Sequence, residues 1–179
     1  MNFTELVKIR QSTRKYASTA VEIDLINKCI EAARLAPSAC NAQPWKFIII
    51  NDFTLKNKVA EHISDVLMNK FVYDAAVLVT IVIEKPTITS WIGEKVKNRE
   101  FPLIDIGIAA EHFCLQATEL GIGTCMIGWF NEKPIKKLLS IPLNKRIGLI
   151  ISMGYSTPDY PVRLKIRKPI DVMSSFNKY

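Results

Sequence analysis

Ala36-Pro37-Ser38-Ala39-Cys40-Asn41-Ala42-Gln43-Pro44-Trp45-Lys46-Phe47-Ile48-Ile49-Ile50 carries an apolar helix into a polar loop and straight on into a strand. Upstream, Ile23, Ile26, Ile30, Ala33 and Ala36 recur at spacings of three and four, so one stripe of a helix from about Glu22 to Ala36 faces a core. Thr19-x-x-Glu22 has the form of a capping box that would open this helix. Trp45 to Ile50 is apolar for most of its length, which suits a strand buried on both faces. Polar loops fixed between a helix and a strand are common places for small-molecule sites.

The same reading extends along the chain. Residues 4 to 10 form a short helix that delivers Arg10, and Asp52 caps a helix running to about Asn69. Ala75 to Ile83 is a second buried strand. A long helix follows from Leu103 to Leu120, with Ile104, Ile108, Leu115 and Ala117 in an apolar surround and Phe113 offset from the stripe. Gly121-Ile-Gly123 ends it, and a short strand from Thr124 runs into the loop at Gly128-Trp129. Asn131 caps a helix to Leu139, and Arg146 to Met153 is the last strand. Four strands alternating with helices imply a layered α+β or α/β domain. Residues 86 to 101 show no clean period and read as a lid, a substrate loop or a surface excursion. Without repeats or linkers, residues 1 to 179 read as one domain.

Composition narrows the function. The chain has 179 residues, 49% hydrophobic and 23% charged, which is ordinary for a globular protein. A chain of this length buries roughly 70% of its unfolded surface in one core. No apolar run reaches the ~18 residues of a membrane span. Met1-Asn-Phe-Thr-Glu lacks the basic and apolar regions of a signal peptide, so the expected location is cytoplasmic, with no membrane partner. Cys29, Cys40, Cys114 and Cys125 form no C-x-x-C pair, and His62 and His112 lie far apart, so neither a metal site nor a disulfide framework is expected. The net charge of +7 raises nucleic acid as a partner. The lysines are nevertheless dispersed along helices with no interleaved aromatic ladder, and specific nucleic-acid binding is not expected.

Two alternating strips are the sharpest chemical signal. Arg10-x-Ser12-x-Arg14 puts two guanidinium groups and a hydroxyl on one face of an extended segment. Arg163-x-Lys165-x-Arg167 does the same near the other end, with Val162, Leu164 and Ile166 opposite. Such faces suit an anion rich in oxygen, above all a phosphate. Either strip alone reads more readily as an edge strand whose charges block aggregation.

Other phosphate loops are absent. Gly121-Ile-Gly123-Thr-Cys-Met126 lacks the third glycine of G-x-G-x-x-G and follows a helix, and the Gly123-to-Gly128 spacing continues into Trp129-Phe130 rather than Lys-Ser/Thr. No nucleophile–base pair is visible, which fits chemistry carried by a cofactor. Gly128 reads either as a turn glycine or as a place where a planar ring approaches the backbone. Pro37, Ser38, Asn41, Gln43 and Pro44 are of types that stop helices and make turns. Cys40 lies among them without a base or a partner thiol and reads as a bystander.

Arg10-Gln11-Ser12-Thr13-Arg14-Lys15-Tyr16, the Pro37-Ser38-x-x-Asn41-x-Gln43-Pro44-Trp45 segment and Lys165-Ile166-Arg167-Lys168-Pro169 together resemble the nitroreductase family of FMN-dependent oxidoreductases, over the whole chain. Gln11 departs from the second Arg that many members carry. The resemblance implies a three-layer α-β-α fold, class α+β, with a mixed, mostly antiparallel sheet flanked by helices. It also implies FMN held by Arg10, Ser12, Arg14, Pro37, Ser38, Asn41, Gln43, Ile127, Gly128, Lys165 and Arg167. Flavin N5 would carry the chemistry, with no catalytic side chain and no metal. NADH or NADPH would be the donor, and a small electron-poor nitroaromatic or quinone the acceptor. A homodimer is implied as well, with the 37–43 loop reaching the neighbouring subunit's flavin and residues 169–179 as an arm wrapping the partner. Dehalogenation, flavin cleavage, flavin storage and nucleic-acid binding remain alternatives.

Overall fold

The computed structural model describes residues 1–64, 68–84 and 100–179. The unread segment 86–101 lies outside them, apart from its last two residues. A four-stranded sheet is built from β1 (Trp45–Ile50), β2 (Val77–Ile83), β3 (Gly123–Ile127) and β4 (Arg146–Gly154), in the order β1-β2-β4-β3. All three ladders are antiparallel, and parallel pairing is added by the isolated Ser12–Thr124 bridge. β2 and β4 are central, and β2 is buried almost throughout because both faces of the sheet are covered.

The period-two alternation of a strand sorts this burial into layers. Val77, Val79 and Ile81 join Ile151 and Met153 under α2 (Ile23–Arg34) and α4 (Phe101–Glu119). Leu78 and Val82 point the other way, into a cluster with Val59 and Ala60 of α3 (Phe53–Ala60) and Ile135 of α5 (Glu132–Leu138). The fold is therefore α+β in three layers, as the family resemblance implied.

Helix ends differ from the sequence reading in three places. α2 starts one residue past Glu22, and the Thr19–Glu22 capping box does not form; the Glu22 carboxylate instead accepts from the Tyr155 hydroxyl at 3.0 Å. Ile23 consequently leaves the core stripe and is 63% exposed, while Ile26, Cys29 and Ala33 are buried. α3, capped by Asp52 as expected, closes at Ala60, and Asn69 stands in the left-handed region ahead of a single turn, Lys70–Tyr73. Asn131 precedes α5 without a side-chain cap bond. A capping box does form on α1 (Phe3–Ile9), between Asn2 and Glu5.

The two ends of the chain meet on the β3 edge of the sheet. The Thr13 amide donates to Thr124 O at 2.8 Å, and Tyr16 bridges to Ser156, so residues 12–16 lie along the sheet. Thr13 and Tyr16 are both buried there, while Arg14 is exposed. The Tyr16 hydroxyl meets Ser152 Oγ at 2.8 Å, and burial pushes its ionisation well above the usual tyrosine range. Gly123 makes room for Thr13: a Cβ there would stand 2.6–2.8 Å from Thr13 side-chain atoms.

The returning segment is clipped to this strip mainly by polar groups. Gln11 Oε1 accepts from the Arg163 amide at 3.0 Å and its Nε2 donates to Pro161 O at 3.0 Å. The Tyr160 hydroxyl accepts from the Arg14 amide at 3.1 Å, and the Arg163 guanidinium donates to Ser12 O at 2.6 Å. Lys165 donates to Arg10 O. Lys15 pairs with Asp159 at 2.5 Å and holds that carboxyl down at about 2.

Two outcomes are expected from this geometry. Gly123→Ala overpacks Thr13 and lowers unfolding stability by about 1–3 kcal/mol, measured by denaturant titration; an unchanged midpoint contradicts the close packing. Gln11→Leu removes the clip, and amide exchange at Arg163 speeds up by roughly tenfold while the central strands keep their protection.

Candidate functional site

Where the two strips lie side by side they enclose an open cleft of about 250 Å³, lined by Arg10, Gln11, Ser12, Arg14, Arg163, Lys165 and Arg167. The local chemistry follows from the backbone. An extended segment presents alternate side chains, so Arg10, Ser12 and Arg14 share one face as expected, and the returning segment offers its own cations against them. Val162, Leu164 and Ile166 are 57%, 92% and 88% exposed, and Leu164 also borders the cleft. What holds residues 161–167 to the body is therefore hydrogen bonding rather than apolar burial.

The cleft is electrically unbalanced. Five cationic side chains line it, and Glu111 is the one carboxylate paired with any of them among the described residues, at 2.8 Å from the Arg10 guanidinium. Partial burial, and then the nearby Arg167 and Arg10 charges, push the Lys165 ammonium below the usual lysine range. Arg10 Nε is buried without a hydrogen-bond partner. A buried donor left unpaired costs free energy, as does clustered like charge, and a bound oxyanion relieves both. The donor set accordingly fits a phosphate. Arg14 lines the cleft with its guanidinium carbon 5.9 Å from the centre of the Phe71 ring.

The 37–43 loop lies outside this cleft. It is a fixed, non-repetitive structure: Cys40, Asn41 and Gln43 adopt φ of 51°, 51° and 45°. Left-handed backbone in non-glycine residues is held by its surroundings. Here Ser38 Oγ accepts from the Gln43 amide at 2.9 Å, Gln43 Nε2 donates to Asn41 Oδ1 at 3.0 Å, and the Ala39 amide donates to Asp105 Oδ1 at 3.1 Å. Asp105 is buried on α4, the helix that also carries Glu111, and burial pushes its carboxyl above the usual range. One helix thus positions both the loop and Arg10.

Ile127 and Gly128 stand at the far end of β3 from the Ser12 bridge. Ile127 is buried, and a Cβ on Gly128 would meet no atom within 4 Å. Since neither crowding within the chain nor a positive φ demands glycine here, the open space beside it is the notable feature. Asn69 Nδ2 reaches Trp129 O at 3.4 Å beyond it. The structure therefore unites Arg10, Ser12, Arg14, Lys165 and Arg167 in one cleft and leaves Pro37, Ser38, Asn41, Gln43, Ile127 and Gly128 elsewhere on the chain.

Several supporting residues escape sequence reasoning. Arg163 is not among them, because the alternation of the tail strip already marks it in the sequence. Gln11, Tyr160, Asn69 and Asp105 carry none, because each acts through a partner distant in sequence. Among the described residues, no cluster of three or more potential metal ligands occurs, and no helix is long and apolar enough to cross a membrane.

Comparison with known proteins agrees with this architecture. The profile of the Nitroreductase family matches residues 7–68 and 63–155. A nitroreductase family protein from Clostridium novyi NT is 34% identical with a TM-score of 0.77, covering 88% of this chain and 87% of its own. An FMN-dependent nitroreductase from Clostridium difficile R20291 is 27% identical with a TM-score of 0.78, covering 99% and 100%. The oxygen-insensitive NADPH nitroreductase of Helicobacter pylori is 24% identical over 86% of this chain and 84% of its own. Iodotyrosine deiodinase 1 of Sus scrofa is 25% identical over 94% of this chain and 66% of its own. With its basic cleft, its three layers and a profile match across most of its length, the chain belongs to the nitroreductase family.

Proposed function

We propose that the chain is an FMN-dependent oxidoreductase of the nitroreductase type, with NADH or NADPH as donor and a small electron-poor molecule, a nitroaromatic or a quinone, as acceptor. The observation that carries this reading is the charge imbalance of the cleft: five cations, one paired carboxylate and an unpartnered Arg10 Nε. FMN bound there would supply the hydride-transfer chemistry between the nicotinamide donor and the acceptor.

The chain's own residues bind and orient. Arg10, Lys165 and Arg167 hold the phosphate through charge-assisted hydrogen bonds, and Ser12 adds a hydroxyl toward the phosphate or the ribityl chain. Arg14 supplies a cation for the negative charge that reduction places on the ring, which favours the reduced form. The open space at Gly128 suits the close approach of a planar group to the main chain beside Ile127.

Pro37, Ser38, Asn41 and Gln43 complete the site from a second copy of the chain, which accounts for their distance from the cleft. The apolar tail is in keeping with such a homodimer. Ile170, Val172, Met173 and Phe176 are 82%, 66%, 67% and 93% exposed on the protomer, an arrangement suited to an arm that wraps a partner. The deiodinase relative supports a second reading in which the same site serves reductive dehalogenation.

The direct test is visible absorption of the purified protein followed by anaerobic titration with NADH and NADPH. Flavin bands near ~450 nm that bleach are the expected result, and protein that neither carries nor takes up FMN overturns the reading. Arg10→Ala and Arg167→Ala should each weaken FMN affinity about tenfold or more, measured by fluorescence titration. Unchanged affinity in both variants removes the phosphate assignment.

A further inference from the structure

A second cavity, of about 390 Å³, opens beyond Tyr16 and shares no lining residue with the basic cleft. Lys56, on α3, is its most deeply placed charge, only 4% exposed. The ammonium donates to Tyr73 O at 2.5 Å and lies 5.6 Å from the centre of the Phe53 ring. An ammonium has three N–H donors, so one carbonyl leaves most of its capacity unused. No ion pair involves Lys56 among the described residues; Asp74 lines the same cavity and acts on it only as a nearby charge. Burial pushes the Lys56 ammonium below the usual lysine range, with Asp74 partly opposing the shift.

The rest of the lining narrows what would satisfy it. Phe53 and Tyr73, 73% and 41% exposed, offer two aromatic surfaces at the mouth. Ser18, Thr19 and Asn51 add hydrogen-bonding groups at the rim. Asp74 offsets the charge of Lys56 in the lining, so a single carboxylate finds one cation to pair with, whereas the second negative charge of a phosphate would be desolvated without a partner. The volume falls in the range of small-molecule sites.

We propose that this cavity binds a small planar monocarboxylate, with its carboxylate on Lys56 Nζ and its ring against Phe53 and Tyr73. The site is separate from the flavin reading and stands without it. Phosphate belongs in one cavity and a carboxylate in the other, because five cations face one carboxylate in the first and one cation faces Asp74 in the second.

The test is an amide chemical-shift titration of the purified protein with benzoate. Saturable shifts are expected at Ala17, Thr19, Lys56, Ala75 and Ala76, and inorganic phosphate at the same concentrations moves none of them. Lys56→Met should weaken benzoate binding about tenfold or more, through loss of a charge-assisted bond. Phe53→Ala, at an exposed position, should weaken it about threefold or more. If Lys56→Met does not fold, the Phe53 variant decides alone. Shifts confined to residues 37–43 and 127–129, binding that never saturates, or equal affinity in the variants and the parent protein overturns the proposal.

Discussion

Two cationic segments from opposite ends of the chain lie against each other, and charge alone would drive them apart. What holds them is directional. Thr13 is pinned to Thr124, Gln11 grips Pro161 and Arg163, and the Tyr160 hydroxyl takes the Arg14 amide. Each bond is modest on its own, about 0.5–1.5 kcal/mol net. Together they fix two strips in register and hold five cations around one cleft. The cleft is thus prepared for an anion before one arrives, and preorganisation of that kind strengthens electrostatic binding.

That arrangement also explains why the sheet ends where it does. β3 is an edge strand, and an edge presents unpaired backbone groups that invite another chain. Residues 12 and 13 cover its start, while the charged strip faces solvent. The aggregation-blocking reading of these charges and the ligand-binding reading therefore describe the same residues. The cavity, Glu111 and the unpartnered Arg10 Nε add the features that edge protection alone does not require.

Much of this was legible in the sequence because it is periodic. The strands are mostly apolar, β1 and β2 above all, and three- and four-residue spacing revealed α2. The strips alternate, so their shared face could be read without coordinates. The Thr19–Glu22 capping box misled because local pattern cannot anticipate Tyr155, which claims Glu22 from more than a hundred residues away. Gln11 and Asp105 were silent for the same reason. Lys56 looked like one more solvated lysine on a helix face, and only the packing of Tyr73 and Phe53 around it shows otherwise. The 37–43 loop gave away its turns by composition but not its three left-handed residues, which depend on α4 beneath it.

The pairing of residues 10–14 with 163–167 has a consequence for biosynthesis. Domains begin to organise while the chain is still being made, N-terminal parts first. The strand that carries Thr124 pairs only with β4, so it can settle in the sheet and receive Thr13 once Gly154 has been made, shortly before Arg163. The cleft is then half built, with Arg10 and Arg14 in place and the other cations still to be translated. Competence to hold an anion comes only once residues 163–167 have been made, so a chain that stops short of them can adopt most of the fold while lacking the cleft.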